Sequence, residues 1–200
     1  MSANTERRII LGSASPRRRE LLAGLDVEFT VDTGNSFIEN IDPSVEAHDV
    51  PVMMAEGKSD GFHRELEDDE LLITADTVVI FPETGEVLGK PHSRNEAVEM
   101  IRKLSGRTHE VLTAVTFRTR DGRTTIKDST FVKFRELTEE EICHYVDRYR
   151  PYDKAGAYGV QEWIGYVAIE RIEGSFYNVM GFPVHKVYEM IFSNKKPKNK

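Results

Sequence analysis

Short apolar runs of strand length alternate along this chain with longer runs of helical pattern, and two of the joints read as hairpins. The strand-like runs are Arg8–Leu11, Phe29–Val31, Leu71–Phe81, Glu110–Arg118, Thr124–Arg135 and Tyr166–Ile172. The helix-like runs are Pro16–Leu25, Pro51–Glu67, Arg94–Leu104, Thr138–Tyr149 and Pro183–Phe192. Glu83-Thr-Gly-Glu86 and Arg120-Asp-Gly-Arg123 are the turns, the second through its Asp-Gly pair. Interleaved helices imply crossovers between parallel strands, whereas hairpins imply antiparallel neighbours. The order therefore predicts an α/β fold with a mixed sheet rather than a fully parallel one. Thr138 with Glu141, and Ser93 with Glu96, form capping boxes that fix two helix starts. At 200 residues, with no internal repeat or interdomain linker, the chain suits one sizeable domain or two small ones. The basic Lys195–Lys200 tail reads as a frayed end.

The first joint carries the strongest chemical signal. Ile9-Ile10-Leu11 runs into Gly12 and then Ser13-Ala-Ser-Pro-Arg-Arg-Arg19, with Leu21-Leu22 beyond. This reads as strand, tight turn and helix, with Ser15 as N-cap and Pro16 in the first turn, where no amide donor is needed. Backbone amides at such a start, with serine hydroxyls and arginines added, suit an anion, and phosphate is the usual biological one. The plainer alternative is a serine-capped surface helix with solvated arginines. No dinucleotide-type glycine fingerprint and no Walker-type phosphate loop occurs, so any phosphate site rests on this other design.

Charge and cysteine usage narrow the class. Lys+Arg 27 against Asp+Glu 34 leaves a net charge of -7, whose long-range field opposes nucleic acid and anionic lipid. Cys143 is the single cysteine, which excludes an internal disulfide and a thiolate-rich zinc site and fits a reducing compartment. With neither a secretory pattern nor a run of membrane-spanning length, a cytoplasmic protein is expected.

Further on, Ile73-Thr-Ala-Asp-Thr-Val-Val79 sets one carboxylate, Asp76, in an otherwise apolar or small strand. A carboxylate there needs a cation, a metal or hydrogen-bond donors, and is otherwise a surface aspartate at a strand end. Gly89-Lys90-Pro91 stops a strand and holds Lys90 at the sheet rim, where an ammonium acts as a point charge; it is also a common structural turn. Asp153-Lys-Ala-Gly-Ala-Tyr-Gly-Val-Gln161 has glycines that permit close approach of a ligand and an amide able to read a base edge, or it is a bulged strand with an outward glutamine. The histidines lack metal-ligand spacing, and no nucleophile elbow is present. Several cations around one carboxylate suit a triphosphate with a metal.

Taken in order, Ser13-Ala-Ser-Pro-Arg-Arg, Thr74-Ala-Asp-Thr-Val-Val, Gly89-Lys-Pro, Leu104-Ser-Gly, Asp153-Lys-Ala-Gly-Ala-Tyr-Gly-Val-Gln and Gly181-Phe-Pro resemble the Maf family of nucleotide pyrophosphatases from about residue 8 to 192. The form of the segment ending at Gln161 is similar to the dTTP/UTP pyrophosphatase branch. The resemblance implies a single domain with a mixed, elongated, twisted β-sheet flanked by helices, of the Maf/inosine-triphosphatase-like type. It implies hydrolysis of a pyrimidine nucleoside triphosphate to monophosphate and pyrophosphate with a divalent metal, Mg²⁺ or Mn²⁺, often in a homodimer. By the same resemblance Asp76 is the proton acceptor, and Arg17, Thr77 and Gln161 stand at positions of substrate choice. Ser13, Arg18, Lys58 and Lys90 fall where the family contacts phosphate or lines the site, while Arg19 is left to solvent. Near Gly34-Asn-Ser-Phe37 many relatives carry an acidic residue; Asn35 stands there, with Asp32 and Glu39 as nearby acids, so the metal ligands are open. Two other readings follow from the same motifs: a nucleotide-sensing regulator of the septum-formation inhibitor type with little turnover, and a purine-selecting inosine-triphosphate-type pyrophosphatase.

Overall fold

The computed structural model describes residues 7–39 and 44–192, so the Lys195–Lys200 tail lies outside the described residues. Its strands are β1 (Arg8–Leu11), β2 (Phe29–Val31), β3 (Glu70–Ile80), β4 (Val87–Leu88), β5 (Thr108–Thr119), β6 (Gly122–Phe134) and β7 (Ile169–Glu173). Its helices are α1 (Pro16–Ala23), α2 (Val50–Asp60), α3 (Arg94–Leu104), α4 (Glu139–Tyr149), α5 (Trp163–Ala168), α6 (Phe176–Val179) and α7 (Val184–Phe192). The strands form one sheet in the order β2-β1-β3-β5-β6-β7, with β4 also on β3. β1 is parallel to both β2 and β3, and the remaining pairs are antiparallel, so the sheet is mixed.

The caps explain most boundaries. Ser15 accepts from the Arg18 amide with Pro16 opening α1, and Thr138 and Glu141 close a reciprocal capping box on α4. Two boundaries differ from the sequence expectation by more than two residues. α2 ends at Asp60 rather than Glu67, because Gly61 caps it where residues 35–37 cross: a Cβ there would lie 2.7 Å from the Asn35 side chain and from the Phe37 amide. Tyr166 belongs to α5 instead of a strand. The backbone turns tightly against Val160, whose carbonyl oxygen would lie 1.8 Å from a Cβ on Gly165, and only from Ile169 does it reach β6. In the second hairpin Thr119 pairs with Gly122, so Arg120 and Asp121 make the turn and the glycine opens the strand.

Alternation along β3 divides the core. Leu71, Ile73 and Ala75 pack with Leu22 of α1, Val115 and Phe117 of β5 and Val187 of α7. Farther along, Val79 of that strand and Phe81 just past its end join α3, α4 and α5 through Ile101, Leu104, Tyr145 and Ile164. Val78 and Ile80, on the opposite face, meet Val50 and Met54 of α2. Each fully buried side chain of this size contributes about 1.5–3 kcal/mol relative to exposure. Helices thus cover both faces of the sheet.

The sheet is interrupted at its centre. β3 is continuous with β5, but on its other side β1 pairs only as far as Ile73 and β4 begins at Val79. Residues 74–78 have no strand partner on that side among the described residues. Asp76 and Thr77 fall in this gap, and they alone interrupt the full burial of β3.

Behind the gap, His109 of β5 is wholly buried, with Nε2 2.8 Å from the Tyr158 hydroxyl and its ring edge-on to Phe134. Burial pushes its pKa down to about 3. A folded value below the unfolded one means stability is complete above about pH 6.5 and is lost as pH falls toward 3, at about 1.4 kcal/mol per unit. Urea unfolding at pH 5 is expected to show about 2 kcal/mol less stability than at pH 7 from this group alone. His109→Gln should lack that component, and an equal pH dependence in both proteins would refute the assignment.

Candidate active site

The gap in the sheet is the floor of a cleft with two adjoining parts. The inner part, about 90 Å³, is lined by Asp76, Thr77, Val79, Tyr158, Gln161 and Gly181, among others. The outer part, about 380 Å³, is lined by the Gly12–Arg18 loop together with Phe37 and Glu39. Ser15, Arg17, Arg18, Lys58, Lys90 and Asp153 border both parts. Asp76, Arg17, Thr77, Gln161, Ser13, Arg18, Lys58 and Lys90 therefore all border one continuous cleft, whereas Asp32 lines neither part and Arg19 is exposed outside it.

Arg18 takes the place of the missing strand. Its Nη1 donates to the Ala75 carbonyl (2.9 Å) and to Ser13 Oγ (3.4 Å). Nη2 donates to Thr77 Oγ1 (3.1 Å), and Nε to the Gly181 carbonyl (3.0 Å). Burial lowers its pKa, opposed by the nearby Asp76 charge, and a guanidinium remains protonated regardless. Thr77 is committed to the same clamp, with its hydroxyl 3.0 Å from that of Thr113. The clamp fixes the α1 loop, β3 and the turn after α6 in one arrangement. It leaves the Arg18 charge without a direct carboxylate partner among the described residues.

On the α2 face, Thr74 Oγ1 donates to the Ala55 carbonyl (2.7 Å), seating the helix over β3. One turn on, Lys58 Nζ reaches Asp76 Oδ1 at 2.7 Å and Glu39 Oε1 at 2.8 Å. Lys58 and Asp76 are 18% and 16% exposed, so this ion pair is only partly screened by water. The hydrogen bond from Lys58 holds the Glu39 carboxyl below the usual carboxylate range. The nearby acids therefore divide. Glu39 is the acid at the site, whereas Asp32 pairs with His63 at 3.0 Å. Asn35 has a supporting part: it donates to the Lys58 carbonyl and accepts from the Phe37 amide (2.7 Å).

At the other end, Arg17 Nη1 meets Asp153 Oδ2 at 2.6 Å. Gln161 Oε1 is buried without a hydrogen-bond partner among the described residues. Lys90 has no ion-pair partner among the described residues, so Arg18 and Lys90 give the cleft positive charge inside a protein of net charge -7. The glycines of the 153–161 segment serve packing: a Cβ on Gly156 would lie 2.9 Å from Val79, and one on Gly159 3.0 Å from Lys154 and Glu162.

The profile of the Maf family, described as Maf-like protein, matches residues 8–193, the span that contains this whole cleft. The chain belongs to the Maf family. It is 50% identical over 183 residues to a dTTP/UTP pyrophosphatase of Porphyromonas gingivalis, covering 90% of this chain and 91% of that one. A dTTP/UTP pyrophosphatase of Bacteroides fragilis is 46% identical over 189 residues, covering 94% and 97%. Among solved structures, a HAM1 protein from Coxiella burnetii is 12% identical with a TM-score of 0.49, covering 94% of this chain and 99% of that one, a likeness too low to bear on the site.

Within this Maf chain, sequence reasoning left Glu39 as one of two candidate acids and gave no part to Lys154, Glu162 or Tyr145. Lys154 was the readable signal, a charged residue opening a run of small residues that the fold buries. The partner of Glu39 was not readable, because Lys58 lies on a separate helix.

Proposed function

We propose that the protein hydrolyses dTTP and UTP to the monophosphate and pyrophosphate in the cytoplasm. The observation that carries this reading is the cleft at the β3 gap, where Asp76 stands between a positively charged loop region and an amide with an unmet acceptor. The outer part suits the phosphates: Ser13, Ser15 and the start of α1 offer donors, and Arg18 and Lys90 offset charge on the phosphate oxygens. The inner part suits the base, because the Gln161 amide offers an acceptor beside a donor, the complement of N3–H and O4 in thymine and uracil. Cytosine presents the opposite pattern. Thr77 and Arg17 border the same region, Thr77 acting through its bond to Arg18.

Asp76 accepts a proton from the water whose oxygen bonds to the α-phosphorus, while the bond from that phosphorus to the bridging oxygen breaks and pyrophosphate leaves. Lys58 holds the Asp76 carboxylate in place at 2.7 Å. The donor set fits a divalent cation: Glu39 and Asp76 are hard oxygen ligands already gathered around one positive charge, and substrate phosphates complete such a shell. Glu39 and Asp76 would hold Mg²⁺ or Mn²⁺, which when bound neutralises charge on the phosphate oxygens. With Glu39 at Lys58, the sensor reading loses the feature that favoured it, the loss of an acid at Asn35.

A panel of nucleoside triphosphates with Mg²⁺ or Mn²⁺ tests the reading through pyrophosphate release. dTTP and UTP are expected to be cleaved at least about tenfold more efficiently than CTP and the purine nucleotides. Release of orthophosphate instead, or equal use of purines, would overturn it.

A further inference from the structure

Arg17 borders both parts of the cleft, so it stands where a triphosphate and a base would compete for it. A free guanidinium there would turn to the phosphates, the denser negative charge. Asp153 opposes that, accepting from Arg17 Nη1 on Oδ2 (2.6 Å) and from Nη2 on its backbone carbonyl (3.4 Å). Asp153 is itself half-exposed and needs fixing. Lys154 Nζ binds its other oxygen at 2.8 Å and Glu162 Oε1 at 3.0 Å.

The chain of ion pairs is anchored at its far end. Tyr145 donates its hydroxyl proton to Glu162 Oε2 and accepts from the Gly159 amide at 3.1 Å. Burial pushes the Tyr145 pKa up, so the hydroxyl stays a donor. Arg17, Asp153, Lys154 and Glu162 together carry two charges of each sign, the balance a partly buried cluster needs. Lys154, 9% exposed, is the most enclosed member. Lys154, Glu162 and Gln161 all flank Gly159: a Cβ there would meet Lys154 Cε and Glu162 Cδ at 3.0 Å and Gln161 Nε2 at 3.2 Å.

We infer that Lys154, held between Asp153 and Glu162, is a positioning residue for base selection: it fixes Asp153, which holds Arg17 away from the phosphates. The inference rests on the pyrimidine triphosphatase reading. Among the described residues no ion pair links Lys154 to the Lys58–Asp76–Glu39 group, so its loss falls on binding and selectivity rather than on the chemical step.

The test is a cycle of Lys154→Met, Arg17→Ala and the double variant, read as kcat and KM for UTP and CTP. Lys154→Met is expected to raise KM for UTP about tenfold with kcat within about threefold, and to shrink the UTP/CTP preference about tenfold. Added to Arg17→Ala, it should have little further effect on that preference, since both act through one group. Glu162→Gln, which keeps the Tyr145 bond and removes the charge, should move the preference in the same direction and stands in if Lys154→Met does not fold. An unchanged preference in a folded variant, or effects that simply add in the double variant, would overturn the inference while the activity reading stood. A wild-type protein that releases no pyrophosphate from UTP would overturn both.

Discussion

Asp76→Asn is expected to slow pyrophosphate release from UTP by about 10²–10⁴-fold while leaving the protein folded. The side chain sits at the sheet gap, where β3 lacks a strand partner, and it receives Lys58 at 2.7 Å. Asparagine preserves its shape and can still accept from Lys58, which also retains Glu39 at 2.8 Å. The ammonium therefore keeps a counter-ion, and the melting temperature should move little. What disappears is the capacity to take a proton, together with one carboxylate for the metal, so at saturating Mg²⁺ the loss belongs in kcat rather than in KM. Activity within tenfold of wild type, in a variant with wild-type melting, would remove Asp76 from the role of base.

The largest expected loss of stability comes from Asn178→Asp, at a residue that touches no substrate. Asn178 is fully buried, and its Nδ2 donates to the Val111 carbonyl (3.0 Å), the Asp128 carbonyl (3.1 Å) and Thr130 Oγ1 (3.0 Å). α6 is only four residues long, too short to hold itself, so this amide fastens it to β5 and β6. Aspartate would set acceptor oxygens against two carbonyls, and of the three present partners only the Thr130 hydroxyl could donate in return. A buried, uncompensated charge costs about 3–5 kcal/mol. For a domain of this size that corresponds to a fall in melting temperature of about 10 °C. The carbonyl of Gly181, just beyond α6, accepts from Arg18, so activity should fall along with stability, unlike in Asp76→Asn. Urea denaturation and thermal melting check this, and a change under about 1 kcal/mol would show that α6 is anchored elsewhere.

Much of the fold was legible because the signals are short-ranged. Ser15 with Pro16, Ser93 on the Glu96 amide and Thr138 with Glu141 each cap a helix within one turn, and all three starts stand where the sequence places them. The expected Ser93–Glu96 box is only half formed, because the Glu96 carboxylate accepts from the His92 amide instead. One error arose where a distant segment decided: α2 stops early because residues 35–37 cross at Gly61. The other is a tight local turn with no sequence signature, in which Gly165 folds back on the Val160 backbone and carries Tyr166 into a helix.

The chemistry divides in the same way. From its order of motifs alone, the chain is readable as a Maf protein with a mixed sheet, an anion-suited loop at Ser13–Arg19, and Asp76, Lys90 and Gln161 as the residues to watch. Tertiary structure decided what those residues do for one another. It showed that β1 and β4 leave β3 open between Ile73 and Val79, and that Arg18 fills that opening. It also brought Glu39 to Lys58 where Asn35 had stood in doubt, and tied Arg17 through Asp153 and Lys154 to Glu162. The physical reason is range. A cap or a hydrophobic period is written into neighbouring residues, whereas the partner of a partly buried charge is set by strand register and helix placement across the chain, and no residue beside it in sequence records that choice.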